Sequence, residues 1–310
     1  MTTPAIRAVG LTRSFGAVRA VDDLSFEVPR GVVFGFLAPN GGGKTTTIRL
    51  LLGLLEPDRG RAEVLGLDVA REANEVRARC GALLEFTGLY ERLSAEENLS
   101  FFARAWHLPK AEREARIREL LTHIGLWERR GEPVGTWSRG MKQKLAVVRT
   151  LLHRPELVFL DEPTAGLDAV ASAALRADLE SLARKEGTTI FLTTHNLGEA
   201  ERLCGRVAVV RQGRLLAVGS PAELRQQGAA PRVEIVGRNL APAVARLRAL
   251  PGVAAIATRD DRLEVALADG ASAAPLVRAA VEAGAEVEEV RREGASLEEV
   301  FLKLVEEEPK

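Results

Sequence analysis

Cysteine is nearly absent from this 310-residue chain. Cys80 and Cys204 are too few and too far apart for a disulfide framework or a cysteine-built zinc site, so a reducing setting is the default. Net charge is missing too: 43 Lys plus Arg face 43 Asp plus Glu. That balance excludes a polycationic nucleic-acid binder, though not a local basic groove. Long apolar runs are also lacking. The longest stretch free of Lys, Arg, Asp and Glu covers residues 31–43, 13 positions ending in three consecutive glycines. A membrane-spanning helix needs about 20 mainly apolar residues. The start, Met1-Thr2-Thr3-Pro4, carries no basic cap followed by an apolar signal core. Any connection to a membrane is therefore expected to run through another chain. Hydrophobic residues make up 46% and charged residues 28% of the sequence. At roughly 150 residues per domain, one large or two smaller globular domains are expected.

What is present reads as alternating strand and helix. Residues 6–11, 24–28 and 31–37 are expected as strands, with turns at Asp22-Asp23 and Pro29-Arg30. A glycine cluster then leads into a helix over 45–55, closed by Pro57-Asp58-Arg59-Gly60. From Ser94 to about Gly131 the chain is helical, opened by a capping box at Ser94-Ala95-Glu96-Glu97. This is a helical insert (about 88–140) in an α/β domain spanning 1–222. A helix over 141–152 follows, then strand 157–160, helix 171–185, and strands 188–194, 206–210 and 214–218. Composition shifts over 226–231, and a second domain is expected over 230–310. Its expected strands are 232–236, 253–266 with a turn at Asp260-Asp261, and 287–291. Helices are expected over 241–249 and 274–283, plus a terminal one over 296–306, giving a small α+β unit. Acidic residues over 282–289 and 306–308 read as solvated faces.

The strand ending at Leu37 runs into Ala38-Pro39-Asn40-Gly41-Gly42-Gly43-Lys44-Thr45-Thr46 and then a helix. Glycines allow backbone N–H groups to turn inward, and the helix points its positive end at an anion. Such a loop cradles phosphates: Lys44 can reach the β- and γ-phosphates, and the Thr45 hydroxyl can bind Mg²⁺. One position departs from the strict pattern, since Ala38 stands where glycine is asked for six residues before the lysine.

Leu157-Val158-Phe159-Leu160-Asp161-Glu162-Pro163 is an apolar strand tipped by two carboxylates. Four apolar residues in a row suit a central parallel strand buried on both faces. Asp161 can then hold Mg²⁺ through water, and Glu162 can orient or deprotonate an attacking water. By itself the pair could equally cap the next helix; the phosphate loop upstream favours the catalytic reading. His195, at the end of another apolar strand, converges on the same site and is expected to contact the γ-phosphate.

Taken together, these motifs resemble the ATP-binding subunit of ABC transporters over residues 1 to about 220. Phe15 in Arg13-Ser14-Phe15-Gly16 matches the aromatic that stacks on adenine, and residues 41–46 match the phosphate loop, with Pro39 and Asn40 beside the nucleotide. Glu85 falls where the family carries a glutamine contacting Mg²⁺ and the permease. Trp137-Ser138-Arg139-Gly140-Met141-Lys142-Gln143 matches the signature Leu-Ser-Gly-Gly-Gln, keeping Ser138 and Gly140 while Arg139 and Met141 differ. Asp161-Glu162 matches the metal-and-base pair, Asp168 the loop that crosses to the partner subunit, and His195 the switch histidine. The departures at Glu85 and in the signature resemble the bacterial export branch for antibiotics and multidrugs, as does the C-terminal unit.

The resemblance implies an ATP hydrolase with Mg²⁺, built as a P-loop domain of mixed sheet and helical insert plus a C-terminal accessory domain. Two ATPase subunits, alike or paired, would sandwich two ATP molecules, each signature closing on the ATP held by the other. The subunit would sit in the cytoplasm, peripherally on the inner face of the cell membrane, docked on a separate integral membrane permease. A nucleic-acid partner is not expected. The alternatives are a soluble relative acting on DNA or ribosomes, which typically carries two motif sets or a long coiled-coil insert, and a binder that does not hydrolyse ATP. Both Glu162 and His195 are present against the last.

Overall fold

A computed structural model describes residues 3–228, 232–259, 261–268, 272–293 and 296–306. Two compact units divide the chain, Met1–Pro221 and Ala222–Lys310. In chain order the first unit opens with β1 (Ile6–Phe15), β2 (Val18–Val28), β3 (Val33–Leu37) and α1 (Lys44–Leu51). Next come β4 (Arg59–Val64), the short β5 (Leu67–Asp68), α2 (Val69–Arg79) and β6 (Cys80–Leu83). The helices α3 (Ala95–Ala105) and α4 (Lys110–His123) make the insert, and α5 (Arg139–Arg149) leads back to the sheet. The unit is completed by β7 (Leu157–Asp161), α6 (Ala169–Glu186), β8 (Thr189–Thr194), α7 (Leu197–Leu203), β9 (Arg206–Arg211) and β10 (Arg214–Gly219).

One sheet is antiparallel, in the order β2-β1-β4-β5; the other runs β10-β9-β3-β8-β7-β6. In the second sheet β9, β3, β8, β7 and β6 are parallel, and only β10 turns back at an edge. Phe26 of β2 meets Phe34, Phe36 and Phe191 of the parallel sheet at centroid distances of 5.9–6.2 Å, and Phe159 joins Phe191 at 5.5 Å. All five rings are buried. Each contributes about 1.5–3 kcal/mol by leaving water, and together they fuse the two sheets. Because β3, β8 and β7 lie side by side and parallel, their carboxyl ends open on one edge, where a ligand site is favoured.

Three sequence expectations need correction. The turn at Asp22-Asp23 does not break β2; the chain passes through it as a bulge, with Asp23 at φ 52°. Tertiary partners absorb the turn residues: Asp22 N–H donates to the Gly213 carbonyl at 3.0 Å, and its carboxylate accepts from Arg214 Nε at 2.6 Å. The helix expected over 45–55 stops at Leu51, because Gly53 adopts φ 61° and its N–H closes onto the Leu50 carbonyl. The helix expected over 141–152 starts earlier, at Arg139, under a Ser138 cap whose Oγ accepts from Met141 N–H at 3.3 Å. The capping box at Ser94 is present in both halves.

From the start of the second unit, α8 (Pro221–Gly228) leads to β11 (Arg232–Arg238), α9 (Ala241–Arg248), β12 (Val253–Arg259) and β13 (Arg262–Leu267). They are followed by α10 (Ala274–Glu282), β14 (Glu286–Glu293) and α11 (Leu297–Glu306). The sheet is antiparallel in the order β12-β13-β11-β14, with a core of its own that includes Ile235, Leu247, Val265 and Leu276. Residues 229–231, Asp260 and the acidic tail beyond Glu306 lie outside the described residues.

Candidate functional site

The loop between β3 and α1 is shaped by its glycines at one position above all. Gly43 has φ 90°, and a Cβ there would lie 2.3 Å from the Ala20 carbonyl oxygen, so β2 presses on the loop from behind. The loop accommodates Ala38: its φ is not in the left-handed region, it is buried, and its carbonyl accepts from Lys44 Nζ at 2.8 Å. Lys44 is itself only 8% exposed. Its ammonium also donates to the Pro39 carbonyl at 3.2 Å and to Asn40 Oδ1 at 3.4 Å. The positive charge is thus fixed at the start of α1.

Five groups meet beside it, four from the ends of β7 and β8 and one, Thr45, from the first turn of α1. Glu162 Oε1 lies 2.8 Å from Lys44 Nζ, and Glu162 Oε2 accepts from His195 Nδ1 at 3.1 Å. The Thr45 hydroxyl donates to Asp161 Oδ2. On the other side Thr193 Oγ1 donates to Asp161 Oδ1 at 2.6 Å, and the Glu162 N–H donates to Thr193 at 3.0 Å. Thr193 escaped sequence reasoning; the signal was the Thr-Thr pair before His195, read only as a strand end. Burial pushes the Glu162 carboxyl up, but Lys44 and then His195 outweigh it and hold the group below the usual carboxylate value.

A cavity of about 360 Å³ opens beside these groups, lined among others by Thr45, Glu85, Asp161, Glu162, Arg139 and Gln143. Glu85, from the segment after β6, therefore joins the carboxylate pair. Thr45, Glu85 and Asp161 offer hard oxygen donors, the kind that suits Mg²⁺. Among the described residues no group of three or more His, Cys, Asp or Glu could hold an ion alone.

The other sequence-predicted residues occupy a hairpin tip, the phosphate loop and two helix caps. Phe15 sits at the tip of the β1–β2 hairpin, 49% exposed, with the Arg13 guanidinium 5.1 Å from its ring centroid. Gly41, Gly42 and Thr46 belong to the loop and the first turn of α1. Ser138 caps α5 and Gly140 and Met141 lie in its first turn, which gives a second helix N-terminus near the surface. Asp168 caps α6 through Oδ1, which accepts from Ala171 N–H at 2.8 Å. Arg139 is turned toward its own chain, where its Nη2 donates to the Ala165 carbonyl at 3.0 Å.

Comparison with known proteins finds relatives for both units. Residues 21–165 match the family model described as "ABC transporter", and residues 219–305 match "ATP-binding protein DrrA1-3-like, C-terminal domain". The chain is similar to the daunorubicin resistance ATP-binding protein DrrA3 of Streptomyces coeruleorubidus, 40% identical over 98% of this chain and 96% of that one. It is also similar to the bacitracin transport ATP-binding protein BcrA of Bacillus licheniformis, 41% identical over 68% of each. A solved structure described as the ATP binding subunit of an ABC transporter superposes with TM-score 0.65 at 35% identity, over 73% of this chain and 93% of that one.

Proposed function

The chain belongs to the ATP-binding subunits of ABC transporters, and on that premise we propose that it powers export of antibiotics or related drug-like compounds. It is an ATP hydrolase that drives a separate membrane permease. No helix among the described residues is long and apolar enough to cross a membrane. On the family reading, the subunit works at the inner face of the cell membrane, held there by its permease. The exported class rests on the likeness to resistance and antibiotic-transport proteins, and on a C-terminal unit of the same kind.

The observation that carries the mechanism is the ammonium of Lys44 shared between loop carbonyls and Glu162. Phosphate oxygens arriving at the loop compete with Glu162 for that charge. Once Lys44 turns to them, His195 alone is left to oppose burial at Glu162, and the carboxylate becomes a stronger base. Glu162 then takes a proton from the attacking water, with His195 holding its second oxygen in place. Asp161 is kept in its orientation by Thr45 and Thr193. Thr45, Asp161 and Glu85 would hold Mg²⁺, which would supply neutralisation of phosphate charge. Phe15 offers its face to adenine.

Two copies complete the arrangement. Ser138 and the N–H group at Gly140 of one chain close on the γ-phosphate held by the other, with Asp168 in the crossing loop. Lys44→Ala and Glu162→Gln should each reduce ATP hydrolysis by at least about a hundredfold; an active variant at either position overturns the assignment. Copurification with a polytopic membrane protein is expected. Recovery with ribosomes or DNA instead points to a soluble relative.

A further inference from the structure

Arg139 stands where the signature usually has glycine, and its side chain does not lie along the helix it begins. Besides donating to the Ala165 carbonyl, the guanidinium covers Gly166, where a Cβ would come within 2.2–2.4 Å of Nη1, Cζ and Nη2. Gly166 also has φ 71°. The positive φ calls for glycine there, and the missing side chain leaves the space the guanidinium fills. The residue so covered is part of the turn that follows the general base: Ala165 N–H donates to the Glu162 carbonyl at 3.0 Å, and Leu167 N–H to the Thr164 carbonyl at 3.1 Å.

This turn needs support. Glu162 has φ 48°, a left-handed conformation that costs a residue with a side chain on the order of 1 kcal/mol and persists only where neighbours enforce it. Thr193 and Lys44 hold Glu162 from the strand side. From the side of α5, Arg139 holds the turn, and Arg139, Ala165 and Glu162 all line the same cavity. A planar guanidinium can lie over the Gly166 peptide and donate a hydrogen bond at once, which an ammonium cannot do.

We infer that Arg139 is a positioning residue for hydrolysis, clamping the turn after Glu162 of its own chain to the start of α5. The helix that closes on a second copy's nucleotide thereby also sets the attitude of this chain's own general base. The two nucleotide sites of a pair read one another through this side chain. The inference rests on the two-chain reading given above and adds a residue that acts in cis.

The test uses the full chain with three variants: Arg139→Gly, Glu162→Gln and the two combined. Arg139 is exposed, so its loss should shift the melting temperature by no more than a degree or two. Arg139→Gly should lower kcat about fivefold while the KM for ATP stays within about twofold, because the phosphate loop is untouched. Arg139→Lys, which keeps a donor but not the plane, should fall between. With ATP and Mg²⁺, the combined variant should dimerise as well as Glu162→Gln alone. An unchanged kcat in Arg139→Gly overturns the clamp. Loss of the dimer in the combined variant alone also overturns it, since Arg139 would then act across the interface. If Glu162→Gln alone fails to dimerise, the two-chain reading itself falls, and this inference falls with it.

Discussion

Burial draws the Glu162 carboxyl toward protonation, while Lys44 and His195 draw it the other way and win. The ordinary value is 4.5, so in the free chain Glu162 should become protonated, and lose its function as a base, only below that pH. In the ATP complex Lys44 is drawn to phosphate and part of this support is lost, so the carboxyl titrates higher. The acid limb of kcat/KM reports the free protein and that of kcat reports the complex. The kcat limb should therefore lie at higher pH than the kcat/KM limb, and coincident limbs would mean that Lys44 does not tune the base. At this scale much of the site was legible, because Lys44-Thr45 and Asp161-Glu162 are each contiguous pairs whose neighbours declare the loop and the strand. Thr193 was not, for a hydroxyl at a strand end looks like any β-branched strand residue until a second strand brings a carboxylate to it.

Among the elements, α4 is tied to α6 and to the segment after α5 by two side chains, Arg116 and Glu119. Arg116, 2% exposed, makes a two-pronged contact with Glu186 at 2.7 and 2.9 Å, meets Glu119 at 2.9 Å, and donates to the Leu151 carbonyl at 2.7 Å. Truncating it to Ala leaves Glu186 buried without a counter-charge, which should cost about 3 kcal/mol in urea unfolding. Replacing both partners with apolar residues of similar size should cost far less. Glu119 also receives Lys185 at 2.7 Å; this bond, ahead of opposing burial and the contact to Arg116, holds its carboxyl down to about 2. A depressed carboxyl stabilises the fold above its ordinary value of 4.5 and loses that contribution as pH falls toward 2. Glu119→Gln should flatten stability over that window, and an unchanged acid profile would contradict the pairing. None of this was visible in the sequence. Arg116 and Glu186 are separated by 70 positions, and no local periodicity announces such a bridge. The opposite failure occurred at Asp22-Asp23, where local turn chemistry was clear and cross-sheet partners overrode it.

On the scale of the whole molecule, strand and helix alternation was enough to anticipate an α/β unit followed by a small α+β unit, because the parallel strands are nearly unbroken apolar runs while β13 alternates between buried and half-exposed residues. The pairing order of the sheets was not legible, since it depends on contacts between distant segments. Every residue of the nucleotide site lies in the first unit, which has its own core. Stopping the chain after Arg225 should therefore leave ATP binding within about threefold of the full chain, as read by isothermal titration; loss of binding would assign the second unit a part in the site. The central claim concerns two chains and two nucleotides. It is tested most directly by light scattering and nucleotide quantification on the full-length Glu162→Gln protein supplied with ATP and Mg²⁺. The expected result is a dimer retaining one unhydrolysed ATP per chain, and a monomer that retains none, even with its permease present, would contradict it.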